Sequence, residues 1–244
     1  MNIKYAIRDF FFPPVCPGCG EVFAAKYGEL NELCFECDYE WVRKKAEVCR
    51  ACGERFSDCR CVPKTLEHAG AAALIKLVPY QSRRAAPNNV ILYIKRYRDA
   101  RVIGFLSREL SSEIEKYIRK LGIRKEGAVI AYCPRRRAAV NKLGFDQARL
   151  IAEGLSKNTG IPVSHAICRA TFFSRSQKKL GAQGRAKNVK GAFALSRAAD
   201  VKNKTVFLVD DLVTTGSTMS ECVRVLKKAG AALVVGVSVA YTAR

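Results

Sequence analysis

The 244-residue sequence lacks any long apolar run, although 49% of its residues are hydrophobic. No stretch reaches the roughly 18 apolar residues that a membrane-spanning helix needs, so we expect no membrane span. Residues 1–12 also lack a long hydrophobic region and a small-residue cleavage site, which argues against a signal peptide. We therefore expect a cytoplasmic protein with one sizeable α/β core and a small additional domain.

Histidine is scarce, since His68 and His165 are the only two in the chain. His165 falls in a strand pattern, which favours a structural role. No other residue stands out as a dedicated acid or base, so the sequence does not identify a group for proton transfer.

Acidic residues are also few, 22 against 43 basic ones, and the formal net charge is +21. The imbalance has a definite location. Residues 1–67 hold 10 basic and 11 acidic side chains, whereas residues 68–244 hold 33 and 11. This excess suggests a polyanionic partner or a heavily phosphorylated ligand. The alternative is a solvated basic surface that aids solubility.

Cysteine, in contrast, is abundant, and eight of the eleven lie within residues 16–61. The first four read C-P-G-C and C-F-E-C, a spacing typical of a zinc ribbon in which each pair gives two thiolates to one tetrahedral ion. The last four read C-R-A-C and C-R-C, and this final pair is tighter than usual. The predicted ligands are Cys16, Cys19, Cys34 and Cys37 for the first site, and Cys49, Cys52, Cys59 and Cys61 for the second.

Sites with four cysteines are structural, so we predict one or two structural zinc ions and no catalysis by them. A disulfide framework is the alternative, but it needs an oxidising compartment that nothing in the sequence supports. The other three cysteines, Cys133, Cys168 and Cys222, have apolar neighbours and are expected to lie in the core.

Two domains are predicted, a double zinc ribbon at residues 1–65 and an α/β domain at 66–244. Strands are expected at 71–79, 128–133, 205–209 and 233–241, with weaker candidates at 163–168 and 192–195. Helices are expected at 90–98, 103–121, 147–158 and 217–228. Such alternation predicts a mainly parallel sheet flanked by helices. Residues 169–190 contain no acidic residue, and we interpret this basic segment as an active-site flap, with a disordered loop as the alternative.

The most informative stretch is VFLVDDLVTTGST at residues 206–218. It combines an apolar strand, two carboxylates where the strand is expected to end, and a turn rich in hydroxyl groups that opens a helix. Ligands of open α/β sheets bind at the carboxyl ends of the strands. Backbone N–H groups, hydroxyls and a helix N-terminus together favour a phosphate. Asp210 and Asp211 suit a ribose diol and, through water, a divalent cation.

This stretch resembles the ligand motif of type I phosphoribosyltransferases, which bind phosphoribosyl pyrophosphate (PRPP) with Mg²⁺. The resemblance implies their fold for the α/β domain. It also implies that Asp210 and Asp211 contact the ribose hydroxyls. The 5′-phosphate would then bind at the turn formed by Thr214, Thr215, Gly216, Ser217 and Thr218.

A double cysteine ribbon before such a domain resembles the ComF family. Further matching stretches are ILYIKRY at 91–97, YCPRRR at 132–137, GFDQA at 144–148, and Gln177, Leu180, Arg185 and Asn188 with Gly191-Ala192-Phe193. By position, Pro134, Arg135, Arg136 and Arg137 correspond to the family's pyrophosphate loop. Guanidinium groups suit this task because they can bind phosphate with two hydrogen bonds. The sequence departs from many members at Asp146, where they have asparagine, and at Leu143, where they have arginine.

The resemblance implies a protein that binds Mg–PRPP and takes part in DNA uptake or the handling of single-stranded nucleic acid, with competence-machinery proteins as possible partners. If it is an enzyme, Asp210, Asp211, Arg135 and Arg136 are the candidate catalytic residues for pentosyl transfer. The alternative is a phosphoribosyltransferase of nucleotide or base metabolism with no nucleic-acid role. A third possibility is an interaction module with a vestigial pocket. The acceptor cannot be identified from the sequence.

Overall fold

The computed structural model describes residues 14–22, 32–81, 85–170, 191–197 and 199–242. Of the flap expected at residues 169–190, positions 171–190 lie outside these residues, and with them the matching positions Gln177, Leu180, Arg185 and Asn188. Residues 1–13 lie outside them too. In chain order the elements are α1 (Phe35–Lys45), α2 (Lys64–Glu67), β1 (Ala73–Pro79), α3 (Ala86–Ile94), α4 (Ala100–Leu121), β2 (Ala128–Tyr132), α5 (Arg137–Leu143), α6 (Gln147–Thr159), β3 (Ile167–Arg169), β4 (Phe193–Leu195), β5 (Thr205–Val213), α7 (Ser217–Lys228) and β6 (Leu233–Tyr241).

The main sheet has four parallel strands in the order β1-β6-β5-β2. The predicted mainly parallel sheet flanked by helices is therefore confirmed. A separate antiparallel pair joins β3 to β4. Within the described residues, no helix is both long enough and apolar enough to cross a bilayer.

Each face of the sheet has its own apolar core, because successive side chains of a strand point in opposite directions. Along β5, Phe207 and Val209 pack into the core that includes α4 and α6. Val206 and Leu208 pack into the second core, which includes α7. Consecutive side chains of β5 therefore have different surroundings, and the same holds for the residues that follow Val209 in this strand.

Helix α4 has a capping side chain at its start and a glycine at its end. The carboxylate of Asp99 accepts hydrogen bonds from the backbone amides of Arg101 (2.9 Å) and Val102 (3.4 Å), so α4 begins there. Gly122 ends α4 with a φ of 62°, a left-handed conformation that glycine adopts without strain.

Three expectations need correction. The strand predicted at 205–209 continues to Val213, because β6 pairs with it as far as Val213 and Tyr241. The helix predicted at 90–98 occupies Ala86–Ile94 instead, with a proline in its first turn. Cys168 is exposed rather than buried, since β3 and β4 lie outside the main sheet. Cys133 and Cys222 are buried as expected.

The cysteine-rich part packs directly on the main core. Trp41 of α1 is 1% exposed, and its indole nitrogen donates a hydrogen bond to Glu109 of α4 at 3.2 Å. Its ring lies 5.3 Å from that of Phe105. Cys16 and Cys37 belong to the same apolar cluster. The division at residues 65 and 66 remains a prediction, and the two parts share buried surface.

Candidate functional site

Asp210 and Asp211 lie inside a paired strand rather than beyond its end, and they point to opposite faces of the sheet. Asp210 lines a small cavity of about 50 Å³ together with Leu212, Val213 and the turn that follows β5. Asp211 is 4% exposed and contacts Gln147 at the start of α6 and Lys95 after α3. The two carboxylates therefore meet different chemical surroundings.

The turn after β5 encloses the cavity with small and hydroxyl-bearing residues. Gly216 has a φ of 77° and precedes the first residue of α7, so the N-terminal amides of this 12-residue helix face the turn. A side chain at Gly216 would bring its Cβ within 2.9 Å of the Thr65 hydroxyl oxygen. The hydroxyls of Thr215 and Ser217 lie 2.9 Å apart. This arrangement is typical of an anion site, since the helix end is positive and the backbone can approach closely.

Asp211 and three other residues form a closed ring of contacts. The side-chain amide of Gln147 donates to Asp211 Oδ2 at 2.8 Å, and its oxygen accepts from the Arg135 guanidinium at 2.7 Å. That guanidinium also donates to the carbonyl of Lys95 at 3.3 Å. The Lys95 ammonium lies 3.6 Å from Asp211 Oδ2 and closes the ring. The ring fixes four separate elements at one edge of the sheet.

Asp146 holds the loop after β2 in position. Its Oδ2 accepts from the backbone amide of Arg135 at 2.8 Å, while its Oδ1 accepts from the amide of Ala148 at 3.1 Å and caps α6. A carboxylate supplies both acceptors with full charge, whereas an asparagine would have one acceptor oxygen. The departure from the ComF pattern at this position therefore keeps the loop anchored.

Three arginines gather where β2 ends. Arg136 and Arg137 are exposed. Arg169 of β3 is half-buried and donates to the carbonyl of Pro134 at 3.1 Å. Burial lowers the pKa of Arg169, and the charge of Arg136 lowers it further. Positive groups brought this close favour an anionic ligand.

The pKa of Asp210 is raised well above its usual value. Burial is the main cause, and the charge of Asp211 adds to it, while the amide of Asp211 and the Lys95 ammonium oppose it. Keeping this carboxylate ionised therefore costs free energy until a positive charge or hydroxyl donors approach.

The eight N-terminal cysteines form two clusters, each with four sulfurs within 4.8 Å of one another: Cys16, Cys19, Cys34 and Cys37, and Cys49, Cys52, Cys59 and Cys61. All eleven cysteines of the chain lie in the described residues and are free thiols. In a tetrahedral zinc site with bonds of about 2.3 Å the sulfurs stand about 3.8 Å apart. The sulfurs of Cys19 and Cys34 lie 3.7 Å apart, and the amide of Cys34 donates to the Cys16 sulfur at 3.3 Å. The donor set and its size fit Zn²⁺.

The second cluster has a buried cation beneath it. The ammonium group of Lys76 lies 3.2 Å from the Cys59 sulfur and also donates to the Cys59 carbonyl, although the residue is only 1% exposed. It further faces the rings of Phe56 and Tyr241 at 5.4 and 5.8 Å. Burial opposes ionisation of Cys59, but the amide of Cys61 and the Lys76 ammonium outweigh it and lower the pKa of this thiol to about 7. Lys76 thus supplies a counter-charge for thiolate ligands.

Sequence reasoning assigned no role to Lys95, Gln147, Arg169 or Thr65. Gln147 and Lys95 lie within the stretches that resemble the ComF family, so a signal for them was present. Arg169 opens the basic segment, but its contact with the Pro134 loop depends on the folded chain. Thr65 is the last residue of the first predicted domain, and no sequence pattern points to it.

The family described as "Phosphoribosyl transferase domain" matches residues 96–244, more than half of the chain. Competence protein F of Haemophilus influenzae is 36% identical over 88 residues, which span 36% of this chain and 38% of that protein. "DNA utilization protein YhgH" of Escherichia coli O157:H7 is 27% identical over 229 residues, covering 91% of this chain and 94% of that protein.

Among solved structures, the glutamine PRPP amidotransferase of B. subtilis aligns with 75% of this chain and 33% of its own, at 21% identity and a TM-score of 0.35. A purine phosphoribosyltransferase of Pyrococcus horikoshii aligns with 57% of this chain and 84% of its own, at 17% identity and a TM-score of 0.31.

Proposed function

Because the chain belongs to the phosphoribosyl transferase domain family, we propose that the edge of the sheet around Asp210 binds Mg²⁺ and PRPP. The ComF resemblance of the sequence is also confirmed, through the similarity to Competence protein F and YhgH. The observation that carries the proposal is the cavity shared by Asp210 and the turn of residues 214–218 at the start of α7.

The 5′-phosphate binds at this turn. Its oxygens accept hydrogen bonds from the amides at the start of α7 and from the hydroxyls of Thr214, Thr215, Ser217 and Thr218. Gly216 supports this role, because its φ of 77° and the 2.9 Å approach of Thr65 leave little room for a larger residue. Asp210 lies beside the turn and is therefore placed to accept hydrogen bonds from the ribose diol.

The pyrophosphate group lies towards the loop after β2. Arg136 and Arg137 are exposed there, while the guanidinium of Arg135 is engaged by Gln147 and Lys95 and positions the loop. Asp211 then acts mainly by holding Gln147 and Lys95. Bound Mg²⁺ would offset the charge of the pyrophosphate, and Asp210 is the carboxylate placed to reach it through water.

If the protein is an enzyme, the bond between C1′ and the pyrophosphate oxygen breaks while a bond from C1′ to a nitrogen nucleophile forms. The nucleophile loses one proton, and pyrophosphate leaves with its electron pair. Positive charge develops on the ribose next to Asp210, and negative charge develops on the leaving group near Arg136. The acceptor is not assigned.

A role in handling single-stranded nucleic acid, with proteins of DNA uptake as possible partners, is the second part of the proposal. It is supported by the 33 basic and 11 acidic residues of positions 68–244 and by the names of the two relatives. A phosphoribosyltransferase of base metabolism without that role is the alternative. A vestigial pocket is disfavoured because Asp210 and Gly216 are both in place. Each cysteine cluster holds one structural Zn²⁺ in this proposal, and the cytoplasmic location remains a prediction.

The decisive experiment measures pyrophosphate release from Mg–PRPP with and without single-stranded DNA. The variants are Asp210→Asn, the double variant Asp210→Asn/Asp211→Asn, and Asp200→Asn, an exposed aspartate remote from the cavity, as the matched control. Binding is measured in parallel as thermal protection, which reaches about 2.7 kcal/mol at a ligand concentration of 100 Kd.

Release that Asp210→Asn loses and Asp200→Asn keeps supports an enzyme, and its dependence on DNA would identify an acceptor or an activator. Protection without release supports a ligand-sensing pocket. Neither release nor protection in the wild-type protein contradicts the proposal. The single variant matters because Asp211 is part of the buried ring, so its loss can disturb folding.

A further inference from the structure

A second and larger cavity lies away from Asp210, between the first cysteine cluster and α3. Its volume is about 560 Å³, within the range of sites for small organic ligands. One wall is the backbone turn of Cys16 to Gly20, and the other is the outer side of α3 and the residues just after it. The side-chain amide of Asn89 donates to the carbonyl of Gly18 at 2.6 Å and joins the two walls.

The groove presents an aromatic ring in a fixed position. Tyr97 is 55% exposed, and its ring lies 4.8 Å from that of Tyr93 at an interplanar angle of 42°. Tyr93 is itself held, because its hydroxyl donates to Asp99 Oδ2 at 3.0 Å. The ring of Tyr97 therefore packs against a neighbour that is itself anchored by a hydrogen bond. A planar ligand could therefore stack on Tyr97 with little loss of side-chain freedom.

The charge of the groove selects the class of ligand. Arg96 lines it and is exposed, and none of the described residues that line it is acidic. Lys95 and Arg98 flank Arg96 and Tyr97 in the chain. The Lys95 carbonyl also accepts from Arg135, so the exposed Arg136 and Arg137 continue the positive surface beyond this end of α3. A line of cations beside a stacking surface matches a base attached to a phosphate backbone.

We propose that this groove binds single-stranded nucleic acid, with a base stacked on Tyr97 and the backbone phosphates paired with Arg96 and the exposed Arg98, so that Arg136 and Arg137 remain available for the pyrophosphate group. The proposal rests on the nucleic-acid part of the proposed function and gives it a location. Recognition of this kind tolerates any base, because every base has an aromatic face. The bound nucleic acid would run from the first cysteine cluster towards the edge of the sheet that carries Asp210.

The test uses the full-length, zinc-loaded protein and a fluorescent oligothymidine of about 12 nucleotides, a length that one such surface can cover. Tyr97→Ala removes the ring, and Tyr97→Phe keeps it. The matched control is Tyr39→Ala on α1, where another exposed tyrosine (65%) lies outside the groove. Zinc content and thermal midpoints are measured for every variant, so that a folding defect is recognised.

Tyr97→Ala is expected to weaken binding about 5- to 150-fold, as loss of one stacked base does, while Tyr97→Phe and Tyr39→Ala stay close to wild type. Arg96→Ala is expected to reduce the slope of log K against log salt by about 0.7. Equal binding by Tyr97→Ala and wild type overturns the groove and would indicate a different occupant. Absence of any DNA binding by the wild type overturns both the binding of nucleic acid in the groove and the nucleic-acid part of the proposed function. The PRPP part of the proposed function is tested separately, by the thermal protection that PRPP gives the protein.

Discussion

Thr65 and Thr215 are 150 positions apart in the chain, and the hydroxyl of Thr65 donates a hydrogen bond to the Thr215 carbonyl at 2.8 Å. The backbone carbonyl of Thr65 accepts in turn from the Ser220 hydroxyl at 2.9 Å. Thr65 lies four residues after Cys61, in the short helix α2. The turn proposed to bind the 5′-phosphate is therefore braced by the end of the cysteine-rich part.

Replacing Thr65 by alanine should weaken binding of PRPP at this turn. The substitution removes one hydrogen bond, worth about 1 kcal/mol, and frees the carbonyl of Thr215 to move. We expect a Kd for PRPP several-fold higher by calorimetry, with a small loss of stability. Thr65→Ser keeps the hydroxyl and should bind like wild type, and equal Kd values for the alanine and serine variants would contradict the brace.

Asp210→Asn should raise the thermal midpoint of the ligand-free protein at pH 7. The folded chain raises the pKa of Asp210, so burying its ionised form costs free energy. The side-chain amide of asparagine avoids this cost. Its oxygen can still accept the hydrogen bond that the backbone amide of Asp211 donates to Asp210 at 2.9 Å in the wild type. Each kcal/mol gained should shift the midpoint by about 2–4 °C.

The same pKa shift fixes the pH dependence of this effect. Because the folded-state pKa lies above the unfolded value of about 3.9, the wild type gains stability as the pH falls through the folded-state pKa. The difference between wild type and Asp210→Asn should therefore shrink as thermal melts are run from pH 7 towards pH 4. A difference that grows on acidification would be inconsistent with a raised pKa. Asp200→Asn is again the exposed control.

Gln147→Met should destabilise the protein by about 1–3 kcal/mol in denaturant unfolding. Methionine has a similar shape but leaves the Arg135 guanidinium and Asp211 Oδ2 each without one partner. Gln81→Met is the control, because Gln81 is exposed and its contacts with Lys44 and Glu47 lie on the surface. If both variants lose the same stability, the ring contributes little.

Lys76→Met should make the second zinc easier to remove. A zinc ion with four thiolates carries a net charge of −2, and the Lys76 ammonium offsets part of it inside the protein. Loss of such a supporting group typically lowers metal affinity about 10- to 100-fold. Titration with a chromogenic chelator should release one zinc early in this variant, while the first site and the Lys64→Met control behave as wild type. Release of both ions together would refute a selective role.

Much of the candidate site could be predicted from the sequence because its pattern is local. The strand of residues 206–209, the two aspartates and the turn up to Thr218 are contiguous, and each type of residue indicates its own conformation. The predicted end of β5 was wrong because the length of this strand depends on β6, which pairs with it as far as Val213. The sequence of residues 205–213 carries no information about the length of the neighbouring strand.

The remaining features depend on distant contacts. Lys76 lies among the apolar residues of β1, and only the fold places a sulfur ligand above its ammonium group. Helix α5 was missed because its first residues were interpreted as part of a pyrophosphate loop, yet the loop and the helix overlap at Arg137. The spacing of the cysteines, in contrast, predicted both clusters, since the two cysteines of each pair are close neighbours in the chain.

The order of strands in the sheet also determines when the protein can fold during synthesis. In the part of the chain that the structure describes, β1 pairs with β6 and β2 with β5, so both early strands wait for the last part of the chain. The cysteine clusters leave the ribosome first and can take up metal while the apolar faces of β1 and α4 still lack their partners. Long-range pairing of this kind is slow. A chain interrupted before residue 205 would therefore have folded cysteine clusters attached to an unassembled and aggregation-prone sheet.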